Sequence, residues 1–403
     1  MTNAEPPILR VVIVGAGEVA QVIHLPTLAL LPQWYISLNS RQIVPGYFLN
    51  SLQVNCHIYC DISQQAIDYG APGFNIPHKT TDSSQVFHET LSISAIEAGQ
   101  LVFIGKSISL SIPSRRIIEA EIKAGGSRVF VECVRRYAPS LTRALLWEVT
   151  TISRILHARS RDIVGPNAHF VRQSGTSPVK GSDLLPRSEE HGEELDSLIG
   201  EAFSGTAATD RDIKYSRFLG SLGSRDLSLM RETLGFSKSV AGVSANEPFY
   251  TAIFNYQNKT GEPLVVTYEG GIDAVPRFDA HLAGRGQKKT ISIQYNTPYT
   301  KGMPIIVKVY DLNEHGEATS REALSCFEDS YTVELRVMYG CFARGQPIKT
   351  SGGRCLQGFG TARPPAQTIV AARRRELFWQ DSGMPMCNSR TFQHAGLVDA
   401  HLG

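Results

Sequence analysis

Residues 10–28 read RVVIVGAGEVAQVIHLPTL, and this stretch decides the expected fold. Four consecutive β-branched residues, Val11 to Val14, predict a buried strand, and the run that follows Gly15-Ala16-Gly17 is compatible with a helix. A strand, a tight glycine turn and a helix in this order are typical of a mononucleotide-binding unit. The sequence therefore predicts a dinucleotide-binding domain at this end of the chain.

Five residues of this unit are the predicted contacts of the cofactor. Gly15 makes the tight turn, and Gly17 lets the backbone approach a pyrophosphate at the positive end of the following helix. Ala20 stands where the fingerprint has its third glycine and is small enough for close packing of helix and strand. The predicted cofactor-binding residues of the stretch are Gly15, Gly17, Glu18, Val19 and Ala20.

An acidic residue, Asp61, ends the second predicted strand in HIYCDIS. A carboxylate at this position accepts hydrogen bonds from the ribose hydroxyls and disfavours a 2′-phosphate, so Asp61 is predicted to bind the cofactor and to favour NAD over NADP. It lies at more than twice the usual spacing from Gly17, which is roughly 20 residues, so an insertion is expected at about residues 40–55. Asp61 is also a candidate N-cap for the helix in SQQAIDYG.

The pattern of the rest of the chain predicts two structural parts and a tail. Strands and helices alternate up to about residue 135, which is typical of an α/β fold with a parallel sheet of the Rossmann type, and HKTTDSSQ at 78–85 is expected to be a polar connection. Strand-like segments separated by turn signals dominate from Val240 onward, and residues 321–346 are expected to form one amphipathic helix. The predicted domains are 1–137, 138–350 with an open-faced, mostly antiparallel α+β sheet, and an irregular tail at 351–403.

The composition of the chain gives no support for nucleic acid, a membrane or a metal ion as a partner. Among 403 residues, 40 Lys and Arg balance 38 Asp and Glu, so the net charge of +2 gives no indication of nucleic acid or of a membrane surface. No long apolar run and no secretory pattern at the first residues are present, which predicts a cytoplasmic protein. The seven cysteines are scattered, which favours reduced thiols and no metal site.

Four motifs occur in the order found in one family of oxidoreductases. They are His24-Leu25-Pro26 after the glycine loop, HETLSISAIEAGQLVFIGKSISLS at 88–111, VRRYAPS at 134–140 and LGSLGSRDLSLMRE at 219–232. In these the chain resembles the Gfo/Idh/MocA oxidoreductases. The resemblance implies a Rossmann domain, an open-faced sheet, and NAD- or NADP-dependent hydride transfer to or from a sugar, polyol or related small molecule. It also implies that one strand of the Rossmann sheet is missing, because only SSQVF separates Asp82 from His88.

The resemblance implies three catalytic residues, and each stands in an altered motif. Lys106 matches the lysine of Glu-Lys-Pro, although the motif here is Gly105-Lys106-Ser107, and it is expected to touch both substrate and cofactor and to shuttle a proton. Ser221 and Arg225 stand where the family has an Asp and a His four residues apart. Arginine stays protonated, so Arg225 is expected to bind an anionic substrate or an alkoxide instead of acting as a base.

Because the proton-transfer pair is replaced, two other functions stay open at this point. One is a nucleotide-binding regulator without redox turnover. The other is an isomerase, lyase or cyclase on the same scaffold. A homodimer through the uncovered face of the second sheet is also expected, since a broad open sheet commonly pairs with a second copy.

Overall fold

The computed structural model describes residues 8–31, 53–61, 63–81, 88–106, 116–181, 183, 209–258 and 260–351. Most of the expected insertion at 40–55 and, apart from Ser351, the expected tail at 351–403 lie outside the described residues. Among the described helices, none has both the length and the apolar character needed to cross a membrane.

The first part of the chain alternates strands and helices. Its strands are β1 (Ile8–Val14), β2 (Gln53–Cys60), β3 (His78–Thr80), β4 (Val102–Ile104) and β5 (Val129–Val131). Its helices are a π-helical turn (Ala20–His24) that runs directly into α1 (Leu25–Leu30), then α2 (Gln64–Gly73), α3 (His88–Glu97) and α4 (Arg116–Lys123).

All strand pairs of this part are parallel, as the sequence predicts. Strand β2 lies between β1 and β3, whereas β4 pairs with β5 in a separate sheet. Within the described residues no strand joins β1 to β4. The sequence predicts that a strand is missing between Asp82 and His88, and residues 82–87 lie outside the described residues. The Rossmann-like part therefore consists of a three-stranded and a two-stranded parallel sheet.

The second part is dominated by one large sheet. Its helices are a 3₁₀ turn (Val134–Tyr137), a π-helical turn (Leu141–Leu145) leading into α5 (Leu146–Thr150), α6 (Asn167–Val171), α7 (Asp210–Phe218), a π-helical turn (Leu219–Gly223), α8 (Ser224–Leu234) and α9 (Ser330–Arg344). Its strands are β6 (His157–Val164), β7 (Ser239–Asn246), β8 (Phe249–Gln257), β9 (Pro263–Ile272), β10 (Phe278–Arg285), β11 (Thr290–Tyr295), β12 (Ile306–Leu312) and β13 (Ala318–Leu324).

The eight strands follow the order β13-β12-β11-β10-β6-β9-β8-β7. Strand β6 is parallel to β9, and every other neighbouring pair is antiparallel, so the predicted open-faced, mostly antiparallel sheet is confirmed. Burial alternates along β6, because one face of the sheet packs on helices and the other does not. The uncovered face carries an ion-pair ladder in which Arg159 and Arg161 both contact Glu269.

Two local predictions are wrong. Residues 321–346 do not form one helix, because β13 occupies Ala318–Leu324 and α9 begins at Ser330, where the carboxylate of Asp329 accepts a hydrogen bond from the Thr332 amide at 3.0 Å. The polar connection at 78–85 contains β3, whose exposed residues pair with β2 at the edge of the sheet. Both strands are missed by the sequence prediction because they are polar, and neither shows the apolar alternation of a half-buried strand.

Helix α9 joins the two parts of the molecule. Although it follows the large sheet in sequence, its Leu335 and Tyr339 pack in one apolar cluster with Leu28 of α1 and with Val11 of β1. The Rossmann-like part is therefore held against the second part by a helix from the end of the described chain. The domain boundaries at residues 137 and 350 stay predictions.

Candidate cofactor and catalytic site

The glycine loop follows β1 and is hydrogen-bonded to the end of β2. Gly15 adopts a φ of +100°, which favours glycine, and its amide donates a hydrogen bond to the Cys60 carbonyl at 2.9 Å. A Cβ atom built on Gly15 or Gly17 meets no atom of the described residues within 4 Å. The space over the loop is thus open to a ligand, and the helical run begins immediately behind it, with the Gln21 amide bonded to the Gly17 carbonyl at 3.1 Å.

Asp61 binds the same loop from the end of β2. Its Oδ2 accepts a hydrogen bond from the Ala16 amide at 2.5 Å, and its Oδ1 accepts one from the Ser63 amide at 2.7 Å. Each carboxylate oxygen keeps a further lone pair, so Asp61 can still accept ribose hydroxyls. The N-cap of α2 is Ser63, whose Oγ accepts from the Ala66 amide at 3.1 Å, so the expected capping by Asp61 itself is wrong.

The other three predicted cofactor residues begin the helical run behind the loop. Ala20 is buried, in keeping with close packing of helix on strand, and Val19 is a partly buried member of an apolar cluster that includes Tyr331. Glu18 is half-buried. Its negative charge acts on the phenol of Tyr299, which belongs to the second part of the chain, so Glu18 faces that part.

His24, at the end of the π-helical turn, links the glycine-loop helix to the catalytic candidates. Its ring lies edge-on to Phe103 of β4 and to Tyr331 of α9, with centroid separations of 5.9 and 6.0 Å. Its Nε2 lies 3.9 Å from a carboxylate oxygen of Glu132, which follows β5. The carboxyl ends of β4 and β5 therefore meet the helical run behind the glycine loop at this histidine.

Lys106 follows β4 and reaches across to the second part of the chain. Its Nζ donates a hydrogen bond to the Gly220 carbonyl at 3.2 Å. Burial, and then the nearby positive charge of Arg225, lower the pKa of Lys106 to about 7, although Glu132 acts in the opposite direction. At neutral pH this lysine is therefore present in both its ammonium and its amine form.

Arg225 and Ser221 lie on the helix that Lys106 contacts. Arg225 is half-buried, and within the described residues it makes no hydrogen bond or ion pair. Ser221 is exposed on the π-helical turn, and its hydroxyl donates to the Phe218 carbonyl at 3.1 Å, a bond within the helix. The structure thus brings Lys106 and Arg225 into one electrostatic cluster, while the Ser221 hydroxyl is engaged with its own backbone.

A cavity opens beside Arg225. It is bounded by residues of the 3₁₀ turn, β10, β11, the loop after β11 and the start of α9, among them Arg135, Asn296, Thr297 and Tyr331. Lys106 is not part of its wall, but Arg225 and Arg135 belong to the wall and their positive charges both lower the pKa of Lys106. Amide, hydroxyl and guanidinium groups around one small cavity suit a polar molecule that carries several oxygen atoms.

Sequence reasoning misses a buried ionic cluster directly behind this cavity. The guanidinium of Arg135 binds the carboxylate of Asp226, and it donates to Asp162 at 2.9 Å. All three side chains are buried. Burial and the neighbouring Asp162 raise the pKa of Asp226 well above its ordinary value, while Arg135 opposes this. The VRRYAPS motif contains Arg135, but its partners lie far away in sequence and follow no local spacing.

Solved structures of several oxidoreductases share this fold. Levoglucosan dehydrogenase in complex with NADH and levoglucosan is 14% identical, with a TM-score of 0.62, 92% of this chain covered and 98% of that chain. An NAD-binding oxidoreductase from Klebsiella pneumoniae is also 14% identical, with a TM-score of 0.60 and the same coverages. The 3-ketoreductase KijD10 from Actinomadura kijaniata, in an open conformation with TDP-benzene and NADP, is 12% identical, with a TM-score of 0.58 and coverages of 89% and 98%.

At the level of sequence, no protein-family model and no curated protein matches the chain. The likeness is therefore one of architecture, and it extends over nearly the whole length of each solved structure. The chain has the fold of these NAD(P)-binding oxidoreductases, with a Rossmann-like parallel part followed by a large, mostly antiparallel sheet.

Proposed function

We propose that the chain is an NAD(P)-dependent oxidoreductase of the Gfo/Idh/MocA type. It transfers hydride to or from a secondary alcohol or carbonyl carbon of a small polar molecule of the sugar or polyol class. The observation that carries the proposal is Lys106, whose pKa of about 7 suits proton transfer at neutral pH and which stands beside the Arg225 cation. The shared fold supports it, since the solved structures include complexes with NADH and with NADP.

The nucleotide end of the proposed site is the glycine loop. The open space over Gly15 and Gly17 admits the pyrophosphate, and the amides at the start of the helical run face it. Asp61 accepts the hydroxyls of the adenosine ribose, which favours NAD, as the sequence analysis expects. A bound nicotinamide cofactor accepts or supplies the hydride.

The catalytic end of the proposed site consists of Lys106 and Arg225. In the direction of alcohol oxidation, the neutral amine of Lys106 takes the hydroxyl proton as hydride leaves the carbinol carbon. In reduction the ammonium form returns that proton to the oxygen. Arg225 stabilises the negative charge that develops on the oxygen, or binds an anionic group of the substrate. Ser221 is at most a substrate contact, because its hydroxyl already bonds the helix backbone.

Two measurements test the proposal in sequence. Titration of the purified protein with NADH and with NADPH, followed by nucleotide fluorescence, tests the glycine loop. The absorbance of the reduced cofactor is then followed with a panel of sugars, polyols and their ketones, for the wild type and for Lys106→Met. We expect saturable binding of NADH, turnover with at least one polyhydroxylated compound, and loss of turnover without loss of binding in Lys106→Met.

The outcomes of these measurements separate the proposal from its alternatives. Failure to bind either nucleotide overturns it. Binding without turnover across the panel favours a redox-inactive, nucleotide-binding regulator. Conversion of a compound with no net change of the reduced cofactor favours an isomerase, lyase or cyclase on the same scaffold.

A further inference from the structure

A segment of the second part lies against the nucleotide-binding loop. The side-chain amide of Gln21, next to the glycine loop, exchanges two hydrogen bonds with the backbone of Val179, at 3.0 and 2.8 Å. The same amide nitrogen donates to the Ala16 carbonyl. Val179 is therefore held beside the loop that carries the predicted pyrophosphate contacts.

The next contact places a second carboxylate at the start of α2. Asp183 accepts a hydrogen bond from the Ser63 hydroxyl at 2.7 Å and a longer one from the Gln65 amide at 3.4 Å. Asp61 binds the amide of the same serine. Ser63 thus holds two carboxylates, one from the end of β2 and one from the second part of the chain.

The backbone approaches Ser63 too closely for any side chain at position 181. A Cβ atom on Gly181 would lie 2.1 Å from the Ser63 hydroxyl oxygen, so only glycine permits this contact. The hydrogen bond from Ser63 lowers the pKa of Asp183, which is therefore ionised at neutral pH. The sequence after Asp61 reads Ile62-Ser63-Gln64-Gln65 and contains no basic side chain, and Lys180, which precedes Gly181, is exposed.

We propose that Asp183 is a specificity residue for the cofactor, which together with Asp61 excludes the 2′-phosphate and selects NAD(H) over NADP(H). The proposal rests on the proposed function, since it assumes that the adenosine ribose lies at Asp61. A 2′-phosphate at that ribose stands next to two carboxylates, whereas a 2′-hydroxyl donates to them. The discrimination is then shared by two distant parts of the chain, and it depends on the contact between the second part and α2.

The test compares NADH and NADPH affinities of the full chain in three proteins. Asp183→Asn removes the charge and keeps an oxygen for the Ser63 hydroxyl. Asp68 lies on α2 and is paired with Lys79, so Asp68→Asn changes the net charge equally and is the matched control. In Asp183→Asn we expect NADPH to bind about tenfold more tightly, with NADH affinity nearly unchanged. We expect no change of the NADPH/NADH ratio in Asp68→Asn.

A second variant tests the geometry independently of the charge. Gly181→Ala pushes the backbone away from Ser63 and is expected to shift the preference towards NADPH in the same direction as Asp183→Asn. A wild type that binds both nucleotides equally, or variants that bind NADH but keep the wild-type ratio, overturns the role of Asp183 and leaves the proposed function intact. If neither nucleotide binds to any of the proteins, the proposed function itself fails, and this inference with it.

Discussion

The Nζ atom of Lys106 lies 3.2 Å from the carbonyl oxygen of Gly220, so the end of β4 is hydrogen-bonded to the helical turn that precedes Arg225. A lysine that follows a strand of the Rossmann-like part is thereby held among groups of the second part. Its low pKa results from this position, because burial and Arg225 both disfavour the ammonium form. The proposed chemistry depends on the two parts staying together.

The rate of the catalysed reaction should follow the protonation of Lys106. Its pKa of about 7 means that the amine form, needed to accept a proton in alcohol oxidation, increases as the pH rises through 7. We expect kcat/KM for oxidation to rise over this range and that for reduction to fall. Lys106→Met should lower kcat by about 10²- to 10⁴-fold and abolish this dependence. Lys79→Met, an exposed lysine on β3, is the control and should keep the wild-type profile.

Closing the space over the glycine loop should weaken cofactor binding without unfolding the protein. Gly17→Val introduces a side chain where no described atom lies within 4 Å of the Cβ, so the folded chain accommodates it while the pyrophosphate does not. We expect NADH affinity to fall about tenfold or more. Gly73→Val at the end of α2 also meets open space and should bind NADH like the wild type. Equal binding by both variants would place the nucleotide elsewhere.

Arg225 should act through its charge. Arg225→Met is expected to reduce kcat by roughly 10²- to 10³-fold, because it removes the cation that stabilises the developing oxyanion. Arg225→Lys keeps a positive charge and should recover part of that loss. Arg225→His places an imidazole where the resemblance to the Gfo/Idh/MocA enzymes implies a proton-transfer histidine. A higher rate than wild type in Arg225→His would contradict a dedicated role for the arginine.

The cluster of Arg135, Asp162 and Asp226 should respond unequally to substitution. Arg135→Met leaves buried carboxylates without their cation and should lower the free energy of unfolding by about 3–5 kcal/mol. Burial raises the pKa of Asp226 and so disfavours its charged form, and Asp226→Asn keeps an acceptor oxygen for Arg135, so this substitution should cost less than Arg135→Met, about 1 kcal/mol. Urea denaturation of both variants, at equal protein concentration, measures the difference. Similar losses in the two variants would contradict the prediction.

The uncovered face of the large sheet should be a contact between two copies of the chain. Ile253 and Val265 are each 40% exposed on this face, beside the ladder formed by Arg159, Arg161 and Glu269. We predict a homodimer in sedimentation experiments, dissociated by the double substitution Ile253→Glu with Val265→Glu. Trp147→Glu, which changes an exposed residue on the helical side, should leave the dimer intact. A monomeric wild type at micromolar concentration would refute the prediction.

Local sequence patterns are sufficient to predict those helices and strands whose own residues show an apolar period or an end signal. The apolar run of β1 and its glycine turn are such a case, because strand and turn lie where the sequence predicts them; the predicted full burial of the strand is wrong, since Val12 and Val14 are 53% and 49% exposed. Strand β13 has no such signal, because its outer residues are polar and exposed. The start of α9 could have been found, since Asp329 before Ser-Tyr-Thr and Gly345 after the last turn are ordinary end signals of a helix.

The residues of the candidate site also fall into two groups, those that the sequence identifies and those that it does not. Glycines, a strand-end acid and a lysine after a strand have characteristic neighbours, so Gly15, Asp61 and Lys106 are identifiable in the sequence. Arg135 and Asp183 have no such neighbours, because their contacts join residues far apart in the chain. Pairings of this kind follow from packing of the two parts, which no periodicity encodes.

The position of β6 has a consequence for how the chain is made. Both of its neighbours, β9 and β10, are synthesised about a hundred residues later, so a nascent chain that ends before Arg285 leaves β6 with at least one unpaired edge. Unpaired edges are templates for association with other chains, and late pairing slows folding. Ribosome-bound fragments that end between α6 and β9 should therefore be the most prone to aggregate, and those that extend past β10 should lose this tendency.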